Sequence, residues 1–193
     1  MYTVIDFETT GLDASSCQVI QVGAVKLDSN FNEVGRLKIN VALRKGTELP
    51  EKITELTGIT EKDLAEGLPE YLAHMILDMF IDEDVVVAQF ASFDLSFMPL
   101  RDCYDFICTK SVFNVLHPYE KASLTNIVDY YGLEHLEHHT ALDDADMTAK
   151  VLKELDIDLR EHGKNLTEFV NIMTEQENRP LRYIPVKAKV INY

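Results

Sequence analysis

The first part of the chain is patterned as β-strands. Apolar and β-branched residues fill positions 2–8 and 19–27, and Leu37, Ile39 and Val41 alternate with polar residues over positions 36–41. The links between these segments are short and rich in turn residues. Parallel pairing needs a long crossover, so three strands joined this closely are predicted to form a largely antiparallel meander.

The rest of the chain is patterned mainly as helices with short strands between them. Pro50 and Gly58 bracket a short helix, and Thr60 and Asp63 have the spacing of a capping box. Further helices are predicted over residues 69–81, from Ser92 as a cap, over 123–131, after Thr140 and over 167–175, with short strands at 85–88 and 106–108. A meander followed by this alternation predicts an α/β sandwich with a mixed sheet.

The end of the chain differs in composition. After Glu177 it carries four basic residues and no acidic one, namely Arg179, Arg182, Lys187 and Lys189. Val186, Ala188 and Val190 alternate with the two lysines, as in an edge strand. We therefore divide the chain into a main domain, residues 1–177, and a basic tail or edge strand, residues 178–193. Two roles stay open for the tail, a structural or partner contact and a contact with substrate phosphates.

The overall charge narrows the classes of function. With 18 basic and 33 acidic residues the net charge is −15, which argues against a broad basic surface that grips nucleic acid. An enzyme that meets phosphates through bound cations remains compatible. The sequence contains no membrane-length apolar stretch and no secretion signal at its start. Because no apolar stretch is long enough to span a membrane, we expect no membrane partner. The cysteines at positions 17, 103 and 108 form no CxxC pair, so we expect reduced thiols and a cytoplasmic location.

Carboxylates near the end of the first strand are the first sign of chemistry. Asp6 and Glu8 lie two residues apart, so strand alternation places both side chains on one face. Two like charges this close repel each other unless a cation lies between them. The pair is either a cation site or part of a polar turn with the following Thr-Thr-Gly. Asp94, in the first turn of a predicted helix, either belongs to the same set or only favours the helix dipole.

Histidines and acids meet at the start of another predicted helix. Thr140 and Asp143 have capping-box spacing, so this helix is predicted to begin near Ala141. His139 then precedes the helix, and Asp144 projects from its first turn. A histidine on a loop beside a rigidly held carboxylate suits a base next to a metal ligand. The alternative is a histidine that caps the helix at the surface.

Taken in order, these motifs resemble the DEDDh 3′–5′ exonucleases. This is the DnaQ-like group, which includes the proofreading subunit of bacterial replicative DNA polymerase, RNase T and oligoribonuclease. The motifs are Asp-Phe-Glu-Thr-Thr-Gly-Leu at positions 6–12, Ala-Ser-Phe-Asp at 91–94 and His-Thr-Ala-Leu-Asp-Asp-Ala at 139–145. The similarity runs over about residues 2–155. It implies an RNase H-like α/β fold, with an antiparallel three-strand meander, parallel strands and flanking helices, in agreement with the predicted layout.

The resemblance also implies a two-metal active site. Four residues are the implied ligands of two divalent cations, Mg²⁺ or Mn²⁺: Asp6, Glu8, Asp94 and Asp144. Oxygen ligands suit these cations, and the family places Asp6 between the two. His139 is the implied general base, with an unperturbed pKa of about 6.5. His138 is the competing candidate, and the register to Asp144 favours His139.

Substrate contacts follow from the same resemblance. It places the turn at residues 9–12 and the segment at 57–59 near the 3′-terminal nucleotide. The candidate substrate-binding residues are Thr9, Gly11, Leu12, Ile59 and Phe93. Leu12 and Ile59 are expected to wedge against the terminal base, and Phe93 either stacks on a base or packs in the core.

The chain departs from the family pattern at two places. Gln89-Phe90 stands where the family usually has His-Asn, which removes a polar contact near the substrate or the metal site. Gln21 stands where the family commonly has Glu, and we expect this to be a mild change.

The expected function is a metal-dependent 3′–5′ exonuclease. It would hydrolyse phosphodiester bonds at the 3′ end of single-stranded DNA or RNA and release nucleoside 5′-monophosphates. One alternative is an oligoribonuclease-like enzyme for very short RNA, which the acidic surface favours. Another is a non-catalytic nucleic-acid-binding adaptor of the same fold. No linked polymerase domain is recognisable, so a polymerase partner would be a separate chain.

Overall fold

A computed structural model describes residues 1–134, 136, 140–175 and 183–192. Seven strands lie in these parts of the chain: β1 (Tyr2–Thr9), β2 (Val19–Leu27), β3 (Glu33–Asn40), β4 (Val85–Ala88), β5 (Phe106–Cys108), β6 (Ile172–Thr174) and β7 (Lys189–Ile191). The α-helices are α1 (Glu51–Thr57), α2 (Glu61–Leu64), α3 (Glu70–Ile81), α4 (Ala91–Phe97), α5 (Thr109–Leu116), α6 (Leu124–Tyr130) and α7 (Ala141–Glu161). A 3₁₀ turn spans Leu166–Phe169.

The main sheet has five strands in the order β3-β2-β1-β4-β5. β1 pairs with β2, and β2 with β3, in antiparallel fashion. β4 pairs in parallel with β1 on one side and with β5 on the other. The predicted meander and the predicted mixed α/β sheet are therefore confirmed. The third strand begins at Glu33, earlier than the predicted Arg36, and ends at Asn40.

Helices cover both faces of this sheet. Successive residues of β1 point to opposite faces, so Val4 and Ile5 enter different apolar clusters. The cluster that contains Ile5 includes Leu77 of α3 and Leu95 of α4, and all three side chains are fully buried. The cluster that contains Val4 includes buried residues of α5, α6 and α7. Residues Val85–Ala88 lie between the two clusters, as predicted for a strand covered on both faces.

Near its C-terminal end, β1 is paired with a neighbouring strand along only one of its two edges. Its parallel pairing with β4 covers only Tyr2, Thr3 and Val4. Its antiparallel pairing with β2 continues further and places Asp6 opposite Gly23 and Glu8 opposite Gln21. The two carboxylates therefore lie on a stretch that is held from one side by β2 and is not paired with β4 on the other.

The first turn of α7 lies directly against the sheet at Gly23. A Cβ atom built on Gly23 would lie 2.1 Å from the backbone carbon and oxygen of Ala141. The helix begins at Ala141, as predicted, and Thr140 caps it. The Thr140 hydroxyl donates to Asp143 Oδ2 at 2.6 Å and accepts from the Asp143 N–H at 3.4 Å. Glycine at position 23 thus allows a helix backbone to approach the strand that neighbours Asp6.

The predicted helix at residues 167–175 is wrong. The helical part ends at Phe169, Asn171 has a positive φ of 61°, and residues Ile172–Thr174 form β6. The Asn171 N–H donates to the carbonyl of Phe106, which joins this segment to the edge of the main sheet. Long-range pairing overrides the local helical tendency here.

One other helix prediction needs correction, and one helix was not predicted. Ser92 does not cap α4, because the helix begins at Ala91 and the Ser92 hydroxyl donates to the carbonyl of Tyr183. Helix α5 follows β5 without any loop, and the sequence pattern did not predict it. Its Val112 and Phe113 are buried in the cluster that also holds α7.

The described part of the tail is fastened to the main domain. β7 pairs in parallel with β6, and this strand covers Lys189–Ile191, whereas the predicted alternation begins at Val186. Lys187 Nζ contacts Asp105 Oδ1 at 2.9 Å, and the Tyr183 hydroxyl donates to Asp102. Arg179, Arg182 and the predicted boundary after residue 177 lie outside the described residues, so that division stays a prediction.

Within the ranges given above, none of the helices combines the length and the apolar character needed to cross a membrane.

Gly23→Ala should destabilise the protein, because the added methyl group meets the backbone of α7. Overpacking of this kind costs about 1–3 kcal/mol, which corresponds to a fall in Tm of about 3–10 °C in a chain of this size. Gly35→Ala is the matched control, because its Cβ would meet the Phe80 ring at an ordinary 3.4 Å. Thermal unfolding followed by circular dichroism measures both. Equal Tm values for the two variants would contradict the close approach.

Candidate metal centre

Three carboxylates from two distant segments meet in one place. One oxygen atom from each of Asp6, Glu8 and Asp144 can be chosen so that all three lie within 4.8 Å of one another. Asp6 and Glu8 share one face of β1, and Asp144 comes from the first turn of α7, which rests on the neighbouring strand. All three side chains are partly buried. The structure therefore brings together three of the four predicted ligands.

Asp94 approaches the same place from the other side of β1. It lies in α4, directly after β4, and its residue is only 3% exposed. Its carboxylate accepts a hydrogen bond from the backbone N–H of Phe7, which stands between Asp6 and Glu8 in the sequence. Because the β1–β4 pairing ends at Val4, this N–H is available to a side chain. The fourth predicted ligand is thus attached to the strand that carries the first two.

The electrostatics of the cluster favour a bound cation. Burial and the neighbouring charges of Asp94, Asp144 and Glu8 raise the pKa of Asp6 well above its usual range. Burial raises the pKa of Asp94 to about 7, and burial together with Asp144 raises that of Glu8 to about 7. Without a cation, these carboxylates therefore bind protons more readily than ordinary carboxylates do. A donor set made only of carboxylate oxygens fits hard divalent cations such as Mg²⁺ and Mn²⁺.

The turn after β1 has a rigid base and an exposed apolar tip. The Thr9 hydroxyl donates to the carbonyl of Gly11 at 2.7 Å, and the Thr10 N–H donates to the carbonyl of Gln18 at 2.9 Å. A Cβ on Gly11 would lie 2.8 Å from the Cys17 sulfur, so a larger residue would not fit without a shift. Leu12, next in the chain, is 68% exposed.

The other two predicted substrate contacts have different surroundings. Ile59 is 5% exposed and packs in a small cluster with Ile20 and Leu64. Phe93 is half-buried, and its ring centroid lies 5.2 Å from that of Phe97. Core packing accounts for these positions, and contact of either residue with substrate stays a prediction.

The residues that replace the usual His-Asn pair have defined contacts. Gln89 accepts a hydrogen bond from the Thr109 hydroxyl at 2.5 Å and donates to the carbonyl of Ala122 at 3.1 Å. It thus joins the end of β4 to the start of α5 and to the segment before α6. Lys110 Nζ lies 4.8 Å from the centroid of the Phe90 ring. The predicted effect of this pair on rate and preference stays a prediction.

His138 and His139 lie outside the described residues. The role of His139 as general base, and the competing candidate His138, therefore stay predictions.

Two residues of β2, Gln21 and Gly23, border the site, although the sequence does not indicate them as site residues. The sequence pattern presents Gln21 as a mild departure and gives Gly23 no role, yet they lie directly opposite Glu8 and Asp6. The signal that could have found them is strand alternation combined with register. Alternation is visible in the sequence. The register, which decides which residue of β2 lies opposite Asp6 or Glu8, is not.

Comparisons with known sequences agree with this geometry. A family profile described as Exonuclease matches residues 3–152. A DNA polymerase III of PolC type from Thermotoga maritima is 32% identical over 166 residues, which cover 78% of this chain and 11% of that protein. The epsilon subunit of DNA polymerase III from Aquifex aeolicus is 30% identical over 175 residues, which cover 80% of this chain and 81% of that subunit. The chain thus spans a small part of the PolC-type relative and most of the epsilon subunit.

Solved structures of nucleases share the fold. Exonuclease X in complex with 5′ overhanging duplex DNA superposes with a TM-score of 0.71 at 23% identity, covering 88% of this chain and 97% of that one. Exonuclease I of E. coli in complex with a dT13 oligonucleotide gives a TM-score of 0.73 at 18% identity, covering 84% of this chain and 42% of that one. The predicted RNase H-like fold class is confirmed.

Glu8→Gln should stabilise the metal-free protein at alkaline pH. The pKa of Glu8 is about 7 in the folded state, against an ordinary value of 4.5. The folded state therefore binds this proton more tightly than the unfolded state, and the free energy of unfolding falls as pH rises from about 4.5 to about 7. At pH 8 in EDTA, removing the charge should raise Tm by about 2–4 °C, the shift that corresponds to 1 kcal/mol in a chain of this size.

The control for this prediction is Glu83→Gln, at an exposed position in the turn before β4. Its Tm should follow that of the wild type from pH 5 to pH 8. A Glu8→Gln variant with the wild-type pH dependence would show that Glu8 is not under electrostatic strain.

Proposed function

The chain belongs to the Exonuclease family, and we propose that it is a metal-dependent 3′–5′ exonuclease that removes nucleoside 5′-monophosphates from the 3′ end of single-stranded DNA. The observation that carries the proposal is the convergence of Asp6, Glu8 and Asp144 within 4.8 Å, with Asp94 attached to the same strand. Family membership and the relationship to an epsilon subunit of similar extent support it.

Asp6, Glu8, Asp94 and Asp144 would hold the cations, and the donor set favours Mg²⁺ or Mn²⁺. Bound divalent cations would supply charge neutralisation at the scissile phosphate and a lowered pKa for a coordinated water. The carboxylates keep their places because β2 supports Asp6 and Glu8 while α7 holds Asp144. We assign the general base to His139, five residues before Asp144, because an imidazole can accept a proton near neutral pH.

The turn at residues 9–12 is proposed to contact the terminal nucleotide. Leu12 is better placed than Ile59 to press against the terminal base, since Leu12 is 68% exposed and Ile59 is 5% exposed. Thr9 and Gly11 keep this turn close to Glu8 through the hydrogen bond between them. Apolar contacts of this kind do not distinguish one base from another, so degradation is expected to depend little on sequence.

DNA is the proposed substrate because relatives over most of this chain are DNA polymerase III proteins. A separate polymerase chain is a proposed partner for the same reason. The net charge of −15 favours a short contact with the strand, which keeps very short RNA as the second candidate substrate. A cytoplasmic location stays a prediction from the cysteine pattern.

The direct test is degradation of a single-stranded oligonucleotide labelled at its 5′ end. Wild-type protein with Mn²⁺ or Mg²⁺ should produce a ladder of products shortened from the 3′ end, and EDTA should stop it. Parallel reactions with a DNA 20-mer, an RNA 20-mer and an RNA dinucleotide separate the candidate substrates. A chain that forms no ladder from any of them, although it binds Mn²⁺, would be the non-catalytic adaptor.

Asp144→Asn should lower kcat by at least about 100-fold, because a loss of about 3 kcal/mol is expected when a metal ligand is removed. Asp143→Asn is the matched control, since it makes the same charge change one residue away. Its amide oxygen can still accept from Thr140, so kcat should change by less than about threefold. Similar kcat values for the two variants would contradict the assignment of Asp144.

A further inference from the structure

Gln21 occupies a position beside the carboxylates without being one of them. It lies on β2 directly opposite Glu8 on one side and directly opposite Asn40 of β3 on the other. Side chains at directly opposed positions of antiparallel strands are close neighbours. Gln21 is 3% exposed, so its polar side chain is almost completely removed from solvent. A buried amide in this place needs hydrogen-bond partners.

The Gln21 side chain joins the sheet to the start of α7. Its Oε1 atom accepts a hydrogen bond from the backbone N–H of Ala141 at 3.1 Å. Its Nε2 atom donates to Asn40 Oδ1 at 2.8 Å, and Asn40 Nδ2 in turn donates to the carbonyl of Asp63 at 3.2 Å. A continuous chain of hydrogen bonds therefore runs from α2 across β3 and β2 to the first residue of α7.

The hydrogen bond between Gln21 and Ala141 lies at the start of α7, where the backbone N–H groups lack partners within the helix. The first N–H groups of an α-helix have no partner within the helix, and Gln21 satisfies the one at Ala141. Asp144 follows Ala141 by three residues, less than one helical turn. The absence of a side chain at Gly23 allows the helix to approach, and the Gln21 hydrogen bond fixes its first residue. Any shift of that residue along the sheet would move Asp144 relative to Asp6 and Glu8.

An amide and a carboxylate at this position would differ in charge and in the contact with Asn40. Glu8 is its direct neighbour on β1, and Asp6 and Asp144 lie within 4.8 Å of Glu8. A carboxylate at position 21 would accept from Ala141 equally well, but it would add a negative charge and lose the donor to Asn40. Glutamine provides both hydrogen bonds and no charge.

We propose that Gln21 is a positioning residue of the metal centre, which holds the start of α7 so that Asp144 stays in place to bind a divalent cation with Asp6 and Glu8. The inference rests on the proposed function only in taking these carboxylates as cation ligands. Its test therefore measures cation binding without nucleic acid.

The experiment is titration of the purified full chain with Mn²⁺, followed by the electron paramagnetic resonance signal of the free ion. Gln21→Met has similar length but no acceptor, and it should weaken the Kd for Mn²⁺ by about 10-fold, as loss of a hydrogen bond behind a metal ligand typically does. Gln21→Glu keeps the acceptor for Ala141 but loses the donor to Asn40, so it should weaken the Kd by no more than about threefold. Its added negative charge beside Glu8 favours the cation and works against that weakening.

Gln18→Met is the matched control. Gln18 is also buried, at 1% exposure, and its side chain donates to the carbonyl of Ala42 at 3.1 Å and accepts from the Arg44 N–H at 2.7 Å. Its replacement removes a comparable set of hydrogen bonds that do not reach α7. The Kd for Mn²⁺ should therefore equal that of the wild type even if Tm falls.

The outcomes separate cleanly. A wild-type Kd in Gln21→Met, or equal weakening in Gln21→Met and Gln21→Glu, would overturn the inference. If Gln21→Met does not fold, Asn40→Leu replaces it in the experiment. Asn40→Leu removes the acceptor of Gln21 Nε2, so it should weaken the Kd for Mn²⁺ by about threefold. An unchanged Kd in Asn40→Leu would also overturn the inference. A wild type that binds Mn²⁺ but degrades no nucleic acid would remove the proposed exonuclease activity and leave the role of Gln21 standing.

Discussion

Repulsion among carboxylates that share one small, partly buried space is the constraint on which the rest of the structure depends. Burial, together with the unfavourable charges of Asp94, Asp144 and Glu8, raises the pKa of Asp6 well above its usual range. Carboxylates in a flexible segment would move apart. Here Asp6 and Glu8 belong to a strand fastened along its length to β2, and Asp144 belongs to a helix that lies against Gly23. The backbone therefore keeps the charges together, and the energy of that arrangement is available to a cation.

Much of this arrangement is visible in the sequence, but for different reasons at different residues. Strand alternation alone predicts that Asp6 and Glu8 share a face, and the Thr140–Asp143 spacing alone predicts where α7 begins. Nothing local to Asp94 or Asp144 indicates that they approach β1, so their assignment came from the resemblance to a family. The order of the motifs follows the fold, in which β1 and β4 are neighbouring strands and the start of α7 lies against β2.

The failures come from interactions between distant parts of the chain. Residues 172–174 form a strand that pairs with β7, and a three-residue strand leaves no clear periodic pattern in the sequence. Ser92 has the residue type of a helix cap, but its hydroxyl contacts the carbonyl of Tyr183 instead. The positions of Gln21 and Gly23 beside the site depend on the β1–β2 register, which single-sequence patterns do not specify. Local rules predict elements well, whereas partners across the fold require the structure.

The most direct measurement of the central claim is a crystal structure of the chain grown with Mn²⁺ and a nucleoside 5′-monophosphate, with anomalous data collected near the manganese edge. The account predicts two anomalous peaks whose ligands come from Asp6, Glu8, Asp94 and Asp144, with the phosphate of the nucleotide beside them. Manganese bound elsewhere, with these four carboxylates pointing into separate environments, would contradict it.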